Sequence, residues 1–538
     1  MLNKSNLLKY FLSIVIIIFS FFINFYYANI GLYPIDTFSF FDSGYNVLNG
    51  YHPIKDYWVI SGILVDYIQS VFFYLFGLNW NAYIFHSSFF NVLISLIFFF
   101  FLNQFTKNLF VNFILSLSVG ALCYPVVGTP FPYQHSLIIS LISMFVFYLA
   151  IEKEKKIYWI MLPNIMLLSF LSMQLPSGLI NLIIIFFSII YYFKFNNYFL
   201  KFFIIGSFIS LTALVLYFII LKISFSDFLN QLIFFPLTVG EGRILNEADA
   251  FVGAKLVNKF TFRGVISHFK FLNIFIIMII ISIIFHIRKN QTKFNFDKIV
   301  FLNIFVLLCI FSFMFHQLIT ANQTFIFSLI PILCGLLTVL LKKVRPNSDH
   351  KIGNILLMLI VLVASLKYHF TYNEQRKFLD LQNINLSDRI DAKTLDKKFN
   401  KLQWITPTNS IMSPLDELDL IGESLKVIKE DKKSKMIITH YQFFSLLLEE
   451  NLNIPNRWYF PNNTFPSSKD NIFYDDYLKK IHYKLIKKNI ENIYIIESFT
   501  NEFDFLNIKE FVGKKCFKKK VINKILIKIE LQNCATKL

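Results

Sequence analysis

Residues 10–42 read YFLSIVIIIFSFFINFYYANIGLYPIDTFSFFD. No charged residue lies between Lys9 and Asp36. The stretch from Tyr10 to Ile30 is as long as the roughly 20 residues that a helix needs to cross the hydrocarbon core of a bilayer. Gly31 and Pro34 then break the run, and acids enter at Asp36 and Asp42. The stretch reads as a membrane span followed by an acidic loop.

The rest of the chain repeats that unit. Of its 538 residues 55% are hydrophobic and 16% charged, and Phe alone occurs 67 times. Soluble domains average about 25% charged residues, so this chain has too few to cover a soluble surface. Further apolar segments at 80–105, 108–127, 134–151, 157–173, 177–194, 199–221, 271–287, 298–316, 324–341 and 353–369 bring the expected spans to about eleven. The stretch 63–78, ILVDYIQSVFFYLFGL, is short and carries Asp66, which suits an interfacial or partly inserted helix better than a full crossing.

Charge placement orients these spans. The net charge is +18, but no basic stripe with a recognition motif is present, so nucleic acid is not an expected partner. Instead NQFTKN, EKEKK, KFNNYFLK, RKNQTKFNFDK and KKVRPNSDHK fall on alternate loops, as the positive-inside rule requires of cytoplasmic loops. The N-terminus is then cytoplasmic, the first span an uncleaved anchor, and the expected location a bacterial inner membrane. The opposite loops are 31–62, GTPFPYQH, QLPSG, the long 222–270 connection and HQLITANQ.

From about Thr371 the composition turns polar. KMIITHYQFFSLLLEENLNI and NIENIYIIES each contain a strand, VINKILIKIEL alternates as a half-buried strand does, and DELDLIGESLKVIKE reads as a solvated helix. The expected fold class is therefore a polytopic α-helical membrane protein, residues 1–370, with a C-terminal soluble α/β domain, residues 371–538, outside the cytoplasm. Cys123, Cys309 and Cys334 lie in apolar segments; Cys516 and Cys534 lie in the exported domain, where a disulfide and two free thiols are both open.

The loop DTFSFFDSGYNVLNGYHPIKDYW, residues 36–58, carries Asp36, Asp42 and Asp56. Asp36 has a structural reading as the N-cap of a helix ending near Gly50. The wider pattern is an Asp after the first span, an apolar helix, NGYHP, an Asp three residues beyond Pro53, Gly62, and the Phe76-Gly77 pair. It resembles the first outer loop of the GT-C class of integral-membrane glycosyltransferases, which includes protein O-mannosyltransferases and aminoarabinose transferases. Thr37 stands where that class usually has a second acid, and Ile63 where it has a proline.

The resemblance implies a GT-C-like membrane domain. Its donor would be a polyprenyl-phosphate sugar. Its acceptor would be a glycan, lipid or protein of the envelope, reached among membrane lipids on the outer face. Asp36 inherits the catalytic position, as the base that takes the acceptor's proton, with inversion at the transferred hexose or pentose. Asp42 is the remaining acid to orient the acceptor, and a divalent cation, were one used, would fall to Asp36 and Asp42. Asp56 is the acid after the proline and a candidate sugar contact.

A leaving lipid phosphate needs cations or N–H donors. The 222–270 loop offers Arg243, Lys255 and Arg263, whose bland reading is contact with anionic headgroups. Tyr133 and His135 at one span mouth, and His316, Gln317 and Asn322 at another, are candidate hydrogen-bonding groups for a sugar. A transporter or flippase of lipid-linked polysaccharide, and a polymerase or ligase of it, remain the alternatives. The near-absence of charge inside the spans favours chemistry at the surface.

Overall fold

The computed structural model describes residues 4–245, 262, 265–266, 269–289, 297–320, 326–346, 351–407, 412–498 and 516–532. Each of the eleven expected segments is a helix: Lys4–Ala28, Trp80–Leu102, Leu109–Leu122, Pro132–Lys153, Lys156–Ser172, Gln174–Lys194, Leu200–Leu221, Lys270–Lys289, Lys298–Ile319, Leu329–Val344 and Lys351–His369. Among the described residues, eight helices are long and apolar enough to cross a membrane. Those at 109–122, 156–172 and 329–344 are shorter, with 14, 17 and 16 residues. The protein is a polytopic helical membrane protein with a small sheet-containing C-terminal region.

Polar residues inside the bundle act between helices. Asn91 donates to the carbonyls of Ser20 and Gly120, both at 2.8 Å, and accepts from the Tyr124 N–H, so one amide ties three elements. Where hydrocarbon surrounds a bundle, such bonds and small residues hold helices together in place of the hydrophobic effect. Gly206 is one of the small residues: a Cβ there would lie 2.3 Å from the Ile160 carbonyl oxygen.

The loops sort to two ends. At one end Lys343 pairs with Glu152 at 2.6 Å, Lys298 pairs with Glu154, and Lys153 reaches the Gln104 carbonyl. These are loops assigned from their charge to one side. At the other end Gln174 donates to the carbonyls of Ile60 and Leu232, and Gln231 binds both the Val59 N–H and the Ile54 carbonyl. Arg376, fully buried, donates to the carbonyls of Ile30, Pro125 and Val127. The alternation written in the charges is thus an alternation in space.

The C-terminal region sits on this second end. A two-residue pair, β1 (Ile390–Asp391) and β2 (Gln403–Trp404), precedes a four-stranded sheet of β3 (Lys435–Thr439), β4 (Asn492–Ile496), β5 (Phe517–Val521) and β6 (Leu526–Leu531) in the order β3-β4-β6-β5. The strands β3 and β4 are parallel, in register Ile437 to Tyr494, and helix Tyr474–Lys487 lies in the connection between them. Both are buried along their whole length, as unbroken apolar runs in parallel strands should be. The remaining pairs, β4–β6 and β5–β6, are antiparallel. Cys516 is disulfide-bonded, whereas Cys123, Cys309 and Cys334 are free and buried; Cys534 lies outside the described residues.

The helix expected at DELDLIGESLKVIKE runs Pro414–Glu430, capped by Ser413. It is not simply a solvated face. Glu417 is buried and accepts from Trp404 Nε1, Thr406 Oγ1 and Tyr441 OH, which satisfies a carboxylate in the domain core.

Candidate active site at the first loop

Asp36 lies in a single helical turn, Pro34–Thr37, after the first membrane helix. Pro34 opens the turn with its φ preset, and Thr37 Oγ1 accepts the Tyr33 N–H at 2.9 Å. The residue preceding this turn is Tyr33, and Asp36 caps nothing, so the N-cap reading of Asp36 does not hold. The backbone on either side is fixed from two directions. Trp458 Nε1 donates to the Ile35 carbonyl at 2.9 Å, and Tyr83 OH to the Thr37 carbonyl at 2.7 Å. Thr37 is a buried turn-closing residue.

The half-buried Asp36 carboxylate accepts no hydrogen bond among the described residues. Burial, and secondarily the charge of Asp380, push its carboxyl up to about 7. A carboxylate held by its backbone, free at its oxygens and titrating near neutrality has the properties of a general base. Sequence reasoning missed Asp380, which lies beyond the last membrane helix with φ +56°. No local motif marks it, since tertiary folding alone brings it to the first loop.

The other acids of the loop are engaged. Asp42, buried in helix Phe41–Leu48, accepts the N–H groups of Ser445 and Leu446 at 3.0 and 2.8 Å, while its own N–H donates to the Gln442 carbonyl. It therefore caps the short helix Phe444–Leu448 of the C-terminal domain. Burial raises its carboxyl to about 7 against the pull of those amides. Both Asp42 oxygens thus accept from the C-terminal domain, whereas the Asp36 carboxylate does not share those partners. Among the described residues no group of three or more His, Cys, Asp or Glu side chains is arranged to hold a metal ion.

Asp56 accepts the His52 N–H at 2.8 Å and closes the turn around Pro53. Its carbonyl takes Lys484 Nζ at 2.7 Å, and burial lowers that ammonium to about 7 although Asp56 opposes the shift.

Asp66, read from sequence only as a mark against a crossing, is the larger surprise. It forms an ion pair with Arg457 at 2.5 Å, both side chains fully buried, and accepts from Ser43 Oγ. Arg457 also lies 4.5 Å from the Phe40 ring centroid and 5.1 Å from that of Trp458. Gly62, at φ +76°, leaves room for this: a Cβ would lie 2.9 Å from Phe40 Cζ and 3.2 Å from Arg457 Nη2. Trp458, held by its neighbour, is the residue that fixes Ile35. The C-terminal domain thus positions the turn that carries Asp36.

The two polar span mouths meet each other. Tyr133 stacks on His316, with centroids 5.0 Å apart and planes 7° from parallel, and Gln317 accepts the Ile326 N–H. His135 faces elsewhere, in a buried chain from Gln69 through His86 and His135 to Tyr124, with the Nε2 atoms of the two imidazoles 2.8 Å apart. All four of Tyr133, His135, His316 and Gln317 are buried. Arg243 lies in helix Phe235–Leu245 with its side chain outside the described residues, as are Lys255, Arg263 and Asn322 entirely.

No family model matches the chain, and no curated protein matches it.

Proposed function

We propose that the protein transfers a sugar from a polyprenyl-phosphate donor to an envelope acceptor on the face of a bacterial inner membrane that carries the C-terminal domain, with the N-terminus in the cytoplasm. The observation that carries this reading is Asp36: its backbone is fixed on both sides, while its carboxylate accepts no hydrogen bond among the described residues and burial pushes it up to about 7. The acceptor hydroxyl oxygen bonds to the anomeric carbon as that carbon's bond to the phosphate oxygen breaks. The hydroxyl proton passes to Asp36, and the lipid phosphate leaves with the bonding electrons. Attack from the face opposite the phosphate inverts the centre.

The test is Asp36→Asn in the purified full chain, with a lipid-linked sugar and membrane acceptors. Transfer at the wild-type rate by a normally folded variant would remove the assignment. A second reading, movement of a lipid-linked glycan across the bilayer, is favoured by the buried His86–His135 pair, because hydrogen-bonded ionisable groups within membrane helices accompany transport paths. Transport of the labelled lipid without transfer of its sugar would select that reading.

A further inference from the structure

A second feature lies away from the first loop, on the outer surface of the first helix. Leu7, Phe11, Ile14, Ile18, Phe22 and Tyr26 are all exposed, Phe22 and Tyr26 at 60% each. Their spacing of three and four residues makes one continuous apolar stripe along Lys4–Ala28. At the end next to the C-terminal domain the stripe runs into a cleft of about 500 Å³. Phe22, Phe25 and Tyr26 line its membrane side, and Arg389, Lys401 and Gln403 line the other. No residue of the 31–62 loop lines it.

Neither Arg389 nor Lys401 makes an ion pair or a side-chain hydrogen bond among the described residues. The nearby acids are occupied: Asp388 accepts from Asn385 and Ser387, and Asp391 from the Lys393 N–H. Lys401 sits at φ +79°, and its Nζ lies 5.1 Å from the centroid of Phe25 at the cleft's apolar wall. Two positive charges at the head of an exposed apolar stripe match an amphiphile with an anionic head and a hydrocarbon tail.

We propose that this cleft seats the phosphodiester headgroup of an anionic glycerophospholipid of the surrounding bilayer, with an acyl chain along Phe22 and Tyr26. The headgroup bridges the first membrane helix and the β1–β2 connection, and so holds the C-terminal domain at the membrane surface. A resident phospholipid fits better than the sugar donor because the cleft opens on the lipid-facing side of the first helix and shares no lining residue with the Asp36 loop. The proposal rests on the membrane reading alone and not on sugar transfer.

The experiment purifies the full chain in detergent with equal phosphatidylglycerol and phosphatidylcholine, and quantifies the lipid retained. The wild-type protein is expected to retain phosphatidylglycerol preferentially. Arg389→Gln and Lys401→Gln should each cut that preference by about fivefold and the double variant by roughly 25-fold, from the usual worth of a basic residue at an anionic surface. Both residues are exposed, so unchanged melting temperatures would accompany the loss. An unaltered preference in the double variant overturns the proposal. So does displacement of phosphatidylglycerol by an equal concentration of long-chain prenyl monophosphate, which would make the cleft a substrate site. Asp36→Asn should leave lipid retention as in wild type, whatever it does to transfer.

Discussion

The two ends of the helical bundle are built on different electrostatics. At the end bearing the C-terminal domain, charge is buried and partnered: Asp66 pairs with Arg457, Asp42 accepts from two amides, and Arg376 donates to three carbonyls. At the opposite end the Lys298–Glu154 pair is open to solvent, with side chains 40% and 50% exposed, while Lys343–Glu152 is more enclosed. Buried charge is costly unless its geometry is complete, so it survives only where a conformation must be held. The rigid end holds the turn with Asp36. Asp36 differs from these groups: its half-buried carboxylate accepts no hydrogen bond among the described residues.

The largest expected effect therefore concerns activity and not stability. Removing a positioned general base commonly costs about 10²–10⁴-fold, so Asp36→Asn should lower transfer by that range while the melting temperature stays within a degree or two of wild type. The same assignment fixes a pH dependence. Asp36 must be ionised to accept a proton, so kcat/KM should rise through a pH near 7 and level off above it. In Asp380→Asn the limb should move to lower pH, since the variant loses a charge that opposes ionisation of Asp36. A limb that stays in place would take Asp380 out of the site.

Next comes the buried ion pair. Replacing Arg457 with Met leaves the buried Asp66 without its counter-charge, which typically costs about 3–5 kcal/mol. The combined Asp66→Leu, Arg457→Met variant should recover much of that loss, because burial of two apolar groups avoids the desolvation of two charges. Thermal unfolding in detergent measures both. Equal loss in single and double variants would mean that the pair does not act as a unit.

Asp42 tests the docking itself. Asp42→Ala removes the acceptor for two buried N–H groups, at about 1–3 kcal/mol, and should expose the 390–460 region to limited proteolysis before the membrane helices unfold. If Asp42 served the reaction instead, the variant would lose activity with its protease resistance intact.

Much of this architecture is legible in sequence, and the boundary has a physical reason. Apolar length and lysine-bearing loops are properties of contiguous residues, so eleven helices and two ends could be read from them. The strands KMIIT and NIYII were legible for the same reason. Asp66 was not: its Arg partner is 391 residues away, and nothing local distinguishes a buried, paired acid from an interfacial one. Asp42 looked like Asp36's companion because spacing cannot show that a distant helix terminus has claimed its oxygens. Glu417 looked solvated because an amphipathic helix does not announce which acid faces its own core.

The smallest effect is expected at the open end, and it makes the comparison falsifiable. Exposed pairs contribute about 0–1 kcal/mol, because water screens them and two long side chains lose freedom in forming them. Lys298→Ala should therefore shift the melting temperature barely at all, and raising ionic strength should erase even that shift. Lys343, less exposed and paired with Glu152 at 2.6 Å, should lie between the two extremes. A loss at Lys298 as large as at Arg457 would show that both ends hold conformation equally, and the rigid seat of Asp36 would lose its distinction.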